Sequence, residues 1–195
     1  MRSMTMAIAR GVSTIGHPLL VVPAAVLAVL LYRQTASAAS ILAPVCGICA
    51  VAFTFSFWQV RRGRWQHIDA SLKAERSSLN LFLASVLLLG AVIGFYRGVD
   101  TGLSLGLFLS GVLIVIVMML SPWTKLSLHA AFAAFAALLL WPLDVWLVAL
   151  AAGAAAGICW SRVMLGRHTV GEVIAGSALG ALLCTGFWFI LRIQG

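Results

Sequence analysis

The sequence predicts an all-α, integral membrane helical bundle of about six to seven transmembrane helices. Three observations predict it. Hydrophobic residues make up 63% of the 195-residue chain, against roughly 45–50% in soluble domains. Charged residues make up 9%, against about 25% in soluble domains, which is too few to hydrate a water-exposed surface of this size. The apolar residues also fall into runs near the 17–25 or so residues that a helix needs to cross a bilayer. Soluble, disordered, collagen-like and disulfide-scaffold classes are excluded. Lipid offers no partner to an exposed backbone group, so runs of this length are helices rather than barrel strands.

The elements follow in order. Span 1 covers residues 17–33. Arg2 and Arg10 precede it and Ala36-Ser37-Ala38 follows it, which resembles a signal peptide with a cleavage site. The long N-terminal region and the immediate second span favour an uncleaved helix. Span 2 covers 39–60, span 3 covers 79–96 and span 4 covers 102–121. Span 5 covers 127–141 and is short; the Trp141-Pro142-Leu143-Asp144 turn separates it from span 6, residues 143–160. Span 7 covers 170–192. No linker or soluble domain interrupts the series, so residues 1–195 read as one membrane-embedded domain.

Other features read as architecture. Cys46, Cys49, Cys159 and Cys184 lie inside apolar runs and read as small core hydrophobes; Cys46-Gly-Ile-Cys49 lacks a second ligand pair. Trp58, Trp65, Trp123, Trp141, Trp146, Trp160 and Trp188 lie near span ends, as an interfacial belt does. Gly153-x3-Gly157 and Gly176-x3-Gly180 have the spacing of helix-packing seams, within the bundle or in a homo-oligomer. The net charge of +8 reads as loop Lys and Arg beside anionic headgroups rather than as a nucleic-acid surface.

The polar residues gather in three loops. One runs from Arg61 to Arg76, one from Lys125 to His129, and one from Ser161 to Glu172. Each follows an even-numbered span, so helix alternation puts all three on the face of the N-terminus. With that terminus they gather ten of the thirteen basic residues, and they hold His67, His129 and His168. Ionisable groups at a bilayer are costly and mark function. His168 and Glu172 are spaced i, i+4 at the start of span 7, so they share a helix face. A carboxylate there accepts from one imidazole nitrogen and leaves the other basic and nucleophilic. Arg162 offers a planar fork that suits phosphate. Lys125 supplies charge, Ser127 a hydroxyl, and His129 a second proton carrier, as a two-step transfer needs. His17, before Pro18, reads as an interfacial residue without charged neighbours.

Ser161-Arg162, five residues, His168, three residues and Glu172 resemble the third signature of the type 2 phosphatidic acid phosphatase (PAP2) superfamily, S-R-x5-H-x3-D. Leu126-Ser127-Leu128-His129 resembles the second, P-S-G-H, and Lys125 the lysine of a K-x-S-x-H form. The first signature, K-x6-R-P, is absent. His67-x-Asp69-Ala-Ser-x-Lys73-x-Glu75-Arg76 is similar to the D-R-R-E-R variant of some bacterial members. Glu stands where the family has Asp, and Ser-Leu-His where it has Ser-Gly-His. The resemblance covers about residues 60–190, a PAP2-like core preceded by two N-terminal transmembrane helices.

The resemblance implies a metal-independent lipid phosphate phosphatase with no cofactor, in the inner (cell) membrane of a bacterium, with the side of its active site open. Its substrates would be phosphatidate, phosphatidylglycerol phosphate, a polyprenyl (di)phosphate or a glycolipid phosphate. His168 would form a phosphohistidine, Glu172 would orient it, and His129 would protonate the leaving oxygen. Arg162, Lys125 and Ser127 would hold the phosphoryl oxygens, and Lys73 and Arg76 would complete the pocket. Two rival readings remain. A metal hydrolase would draw on His67, Asp69, Glu75, His129, His168 and Glu172, but the surrounding cations would repel a divalent ion. A non-catalytic transporter, flippase or assembly partner would bind a phospholipid headgroup without turnover.

Overall fold

A computed structural model describes residues 2–34, 38–66 and 72–194. These form eight helices and, among the described residues, no strand. They are α1 (Arg2–Ile15), α2 (Pro18–Tyr32), α3 (Ala38–Arg61), α4 (Lys73–Arg97), α5 (Thr101–Leu120), α6 (Leu128–Leu139), α7 (Val145–Met164) and α8 (Val170–Gln194). Five of them, α3, α4, α5, α7 and α8, are long and apolar enough to cross a membrane. The pair α1 and α2 passes the same test only when taken together, and it bends by 57° at its break. The protein is an all-α membrane protein with, among the described residues, five such helices, or six if the bent pair is one span.

Two expectations change. No helix is expected in the residues before span 1, yet α1 is a helix of its own. Span 5 is α6, with 12 residues, which at about 1.5 Å per residue falls well short of a hydrocarbon core of about 30 Å. It is a core helix instead. Ala130, Ala131, Phe132, Ala133, Phe135, Ala136, Ala137 and Leu139 are all buried.

The chain divides into two compact units, residues 1–38 with 120–195, and residues 39–119. The first holds α1, α2, α6, α7 and α8. There α6 is the hub, packed on α8, α7 and α2, while α1 lies on α7. Lipid tails are as apolar as side chains, so association rests on close packing of small residues. The Ala-rich α6 and the Gly176-x3-Gly180 pair of α8 supply it. A Cβ on Gly180 would collide with the Ala131 carbonyl, and one on Gly176 would come within 2.7 Å of the Ser127 carbonyl oxygen. This pair is a seam within the unit. Gly153 and Gly157 on α7 face no neighbour within 4 Å.

Direction follows from contacts at the two ends. At one end the start of α2 meets the start of α6 through the His17 and His129 rings. At the other, Trp188 of α8 donates to the Leu138 carbonyl, and Arg33 lies over the Trp188 ring at 5.6 Å. Helices α2, α6 and α8 therefore run the same way and α7 runs back.

In the second unit Phe55 of α3 stacks on Phe82 of α4 at 4.0 Å. Helices α4 and α5 form a hairpin in which Ser104 packs against Gly94. Arg62 lies 4.1 Å from the Trp58 ring centre. Trp65, expected at the interface, is instead buried and makes an edge contact with Phe55. Of the cysteines only Cys184 is buried; Cys46 is exposed on α3.

Candidate functional site

The site residues of the first unit come from two helix starts. The first is the loop between α7 and α8. Helix α7 runs to Met164, which puts Arg162 in its last turn. The helix ends in a Schellman closure: Gly166 N–H donates to Val163 O at 2.9 Å and Arg167 N–H to Arg162 O at 3.0 Å. Gly166 sits at φ +63°, a left-handed conformation that a side chain would strain. This closure turns the chain back at once, so the His168 N–H also reaches Arg162 O, at 3.3 Å. The five-residue spacing between Arg162 and His168 is the length of that return.

Helix α8 then begins with a capping box. Thr169 Oγ1 accepts from Glu172 N–H at 3.3 Å, and Glu172 Oε2 accepts from Thr169 N–H at 3.0 Å. The same Oε2 lies 3.2 Å from His168 Nδ1. Glu172 thus caps its helix and holds the imidazole with one oxygen. Nothing in the family resemblance singles out Thr169, yet Thr169-x-x-Glu172 is a capping signal legible in the sequence.

The second start is α6. Ser127 is its N-cap, with Oγ accepting from Ala130 N–H at 3.3 Å. Its backbone N–H donates to Glu172 O at 3.3 Å, which fixes one helix start to the other. Ser127 is fully buried, so its hydroxyl serves the scaffold and offers no surface to a ligand. Lys125 closes the junction from both sides. Its Nζ donates to Arg167 O at 2.8 Å, and its carbonyl lies 3.0 Å from His168 Nδ1.

His168 Nδ1 therefore faces two acceptors, Lys125 O and Glu172 Oε2. A ring nitrogen between two acceptors carries the proton, so Nε2 is left with the lone pair. The His168 side chain is only 8% exposed. Burial lowers its pKa from the ordinary value; the Lys125 carbonyl opposes this, the charges of Arg162 and Lys125 reinforce it, and Glu172 opposes it. The net direction is down, which keeps the ring neutral and nucleophilic to lower pH.

His129 lies in the first turn of α6. Arg162, His17 and His168 all lie close enough to act on it electrostatically. Its ring meets His17 edge-on, with centroids 5.2 Å apart. Arg162 Nη1 donates to Ser13 Oγ of α1 at 2.7 Å. The reading of His17 as an isolated interfacial residue is thus corrected: it borders the site. Helix parity put His17 at this end of the bundle; only the fold put it against His129. Beside the junction an open depression of about 490 Å³ is lined by Trp123, Thr124, Lys125, Thr169, Gly171 and Glu172, among others.

Lys73 and Arg76 open α4 in the second unit, where Lys73 is exposed and Arg76 half-buried. Between them Glu75 is buried and accepts from the backbone N–H groups of Gln66 and Leu72 at 2.6 and 3.2 Å, so it organises its own loop. His67 and Asp69 lie outside the described residues. Among the described residues, no three His, Cys, Asp or Glu side chains converge as a metal site would need.

No protein-family model, curated protein or solved structure matches this chain.

Proposed function

We propose that the protein is a membrane-embedded phosphatase of the PAP2 type, acting on a lipid phosphomonoester or pyrophosphate in a bacterial cell membrane. The observation that carries this reading is the pair of acceptors on His168 Nδ1, which presents Nε2 as a nucleophile beside Arg162, Lys125 and a second histidine. In the reaction, Nε2 attacks phosphorus and the bond from phosphorus to the lipid oxygen breaks. His129 gives its proton to that leaving oxygen. Glu172 offsets the positive charge that His168 gains as phosphohistidine. Water then gives a proton to His129 and attacks phosphorus, the P–N bond breaks, and inorganic phosphate leaves. Arg162 and Lys125 offset the charge on the phosphoryl oxygens as the transition state loosens. Ser127 serves as the N-cap that sets His129 rather than as a phosphate contact.

Two observations favour a second reading, a headgroup-binding protein without turnover. Arg162 is engaged by Ser13, and the serine of the second loop has no exposed surface. Phosphate release by purified protein in detergent separates the two. The panel is phosphatidate, phosphatidylglycerol phosphate and polyprenyl diphosphate, with EDTA present and His168→Ala as the control. Release that persists in EDTA and vanishes in the variant supports the phosphatase. Lipid binding by a folded protein with no release from any substrate supports the second reading.

A further inference from the structure

The elbow between α1 and α2 reaches the site from a part of the chain that carries none of the three loops. Ser13 and His17 are spaced i, i+4, one helical turn apart, on either side of the 57° bend. Ser13 accepts from Arg162 Nη1 at 2.7 Å, and the His17 ring meets His129 edge-on at 5.2 Å. One short stretch therefore touches a cation of the third loop and the proton carrier of the second. The elbow is pinned on both sides. Ser13 is buried, and Gly16 lies so close to α7 that a Cβ there would come within 2.5 Å of the Ile158 side chain. His17 itself caps α2, its Nδ1 accepting from Leu19 N–H at 3.2 Å. That acceptor role puts the proton of neutral His17 on Nε2.

We propose that the α1–α2 elbow is a positioning element of the site, in which Ser13 sets the guanidinium of Arg162 and His17 sets the ring of His129 and controls when it takes up a proton. The charge logic is direct. Among the described residues, the charged or titratable groups acting on His129 are Arg162 from α7, His168 from the α7–α8 loop and His17 from the elbow. All three are positive when charged. Arg162 is always charged, and His17 and His168 each add positive charge when protonated; His17, whose ring meets that of His129, resists its protonation more strongly than His168 does. A proton carrier with such a neighbour holds its proton less tightly and gives it up more readily to a leaving oxygen. This inference rests on the phosphatase reading for its effect on rate, but not for its effect on His129.

The test is a histidine NMR titration of the full chain in detergent micelles, comparing wild type with His17→Asn and His17→Phe. Asparagine keeps an N-cap acceptor and removes the ring. Phenylalanine keeps a ring edge and removes the cap. Both remove the titrating charge. The expected result is a rise of the His129 midpoint by about 0.5–1 pH unit in both variants. An unchanged midpoint in both overturns the proposal. So does a shift in only one, since loss of the cap or of the ring alone would then explain it. For Ser13, binding of inorganic phosphate, followed through the His168 and His129 resonances, should weaken about threefold in Ser13→Ala and return in Ser13→Thr. Equal affinity in all three proteins, or no phosphate binding by wild type, overturns that half. If wild type releases phosphate from no lipid, the phosphatase reading fails while the titration still decides the role of His17. If it does release phosphate, the limb of the rate profile that needs protonated His129 should move to higher pH in His17→Asn, with KM within about twofold of wild type.

Discussion

The starts of α6 and α8 lie side by side and each presents a histidine, but they hold it by different means. At α8 the imidazole itself is held by hydrogen bonds to its ring nitrogen. Glu172 Oε2 serves Thr169 and His168 together, and Lys125 takes the other approach to the same ring nitrogen. At α6 the cap is a buried serine, and His129 packs edge-on against His17, near enough to Arg162 to feel its charge. On the phosphatase reading proposed above, the nucleophile needs one fixed tautomer, which hydrogen bonds supply. A proton carrier must gain and lose its proton, so contacts that do not commit either ring nitrogen suit it better.

Removing each histidine tests the comparison most severely. If the protein is the proposed phosphatase, His168→Ala should abolish phosphate release, by about 10³-fold or more, because no other group replaces the nucleophile. His129→Gln should cost less, about 10²–10³-fold, with the phosphoenzyme still formed from a substrate whose leaving group is acidic. A phosphohistidine detected by mass spectrometry in the second variant and absent in the first would separate the two roles. Equal losses with all substrates would erase the distinction.

The seam joining the two helix starts comes next. Gly180→Ala should lower stability by about 1–3 kcal/mol, because its methyl group meets the Ala131 carbonyl. Gly153→Ala, on an open face of α7, should be neutral or gain up to about 1 kcal/mol from helix propensity. Thermal unfolding in detergent checks the opposite signs.

The smallest effects concern pH. The rate should need neutral His168, and its pKa is lowered, so the acid limb of the rate profile should fall below about pH 6.5. Glu172→Gln keeps a capping acceptor but removes the carboxylate that raises this pKa, so the limb should move further down while kcat drops about tenfold. Lys125→Met removes a charge that lowers it, so the limb should move up, by less than about one unit. A pH–rate profile of the three proteins reads both signs; shifts in the reverse order would show that His168 is not the titrating group.

Much of this was legible in the residues. The long helices α3, α4, α5, α7 and α8 follow from apolar run length, and their boundaries fall within a few residues except where α7 continues through Arg162 and α4 begins at Lys73. The His168–Glu172 contact follows from i, i+4 spacing, which is a property of the helix alone. Helix alternation placed the Lys125–His129 and Arg162–Glu172 segments at one end, as their mutual hydrogen bonds require. The elbow was not legible. Arg162 and Ser13 lie 149 residues apart, and no local pattern encodes such a pairing. Trp65 was read as interfacial because position along a span does not reveal which side of a helix a neighbour covers.

The order of the residues is enough to make the chain helical and membrane-embedded, because lipid forces every long apolar run to satisfy its own backbone. It also determined which histidine has a carboxylate partner, because that pair lies within one helical turn. It took the packing of helix on helix to make α6 a buried hub rather than a span, to turn Ser127 inward, and to bring Ser13 and His17 beside Arg162 and His129. Those outcomes depend on which small residues let two helices approach, and close approach is a property of pairs of surfaces that no single segment carries.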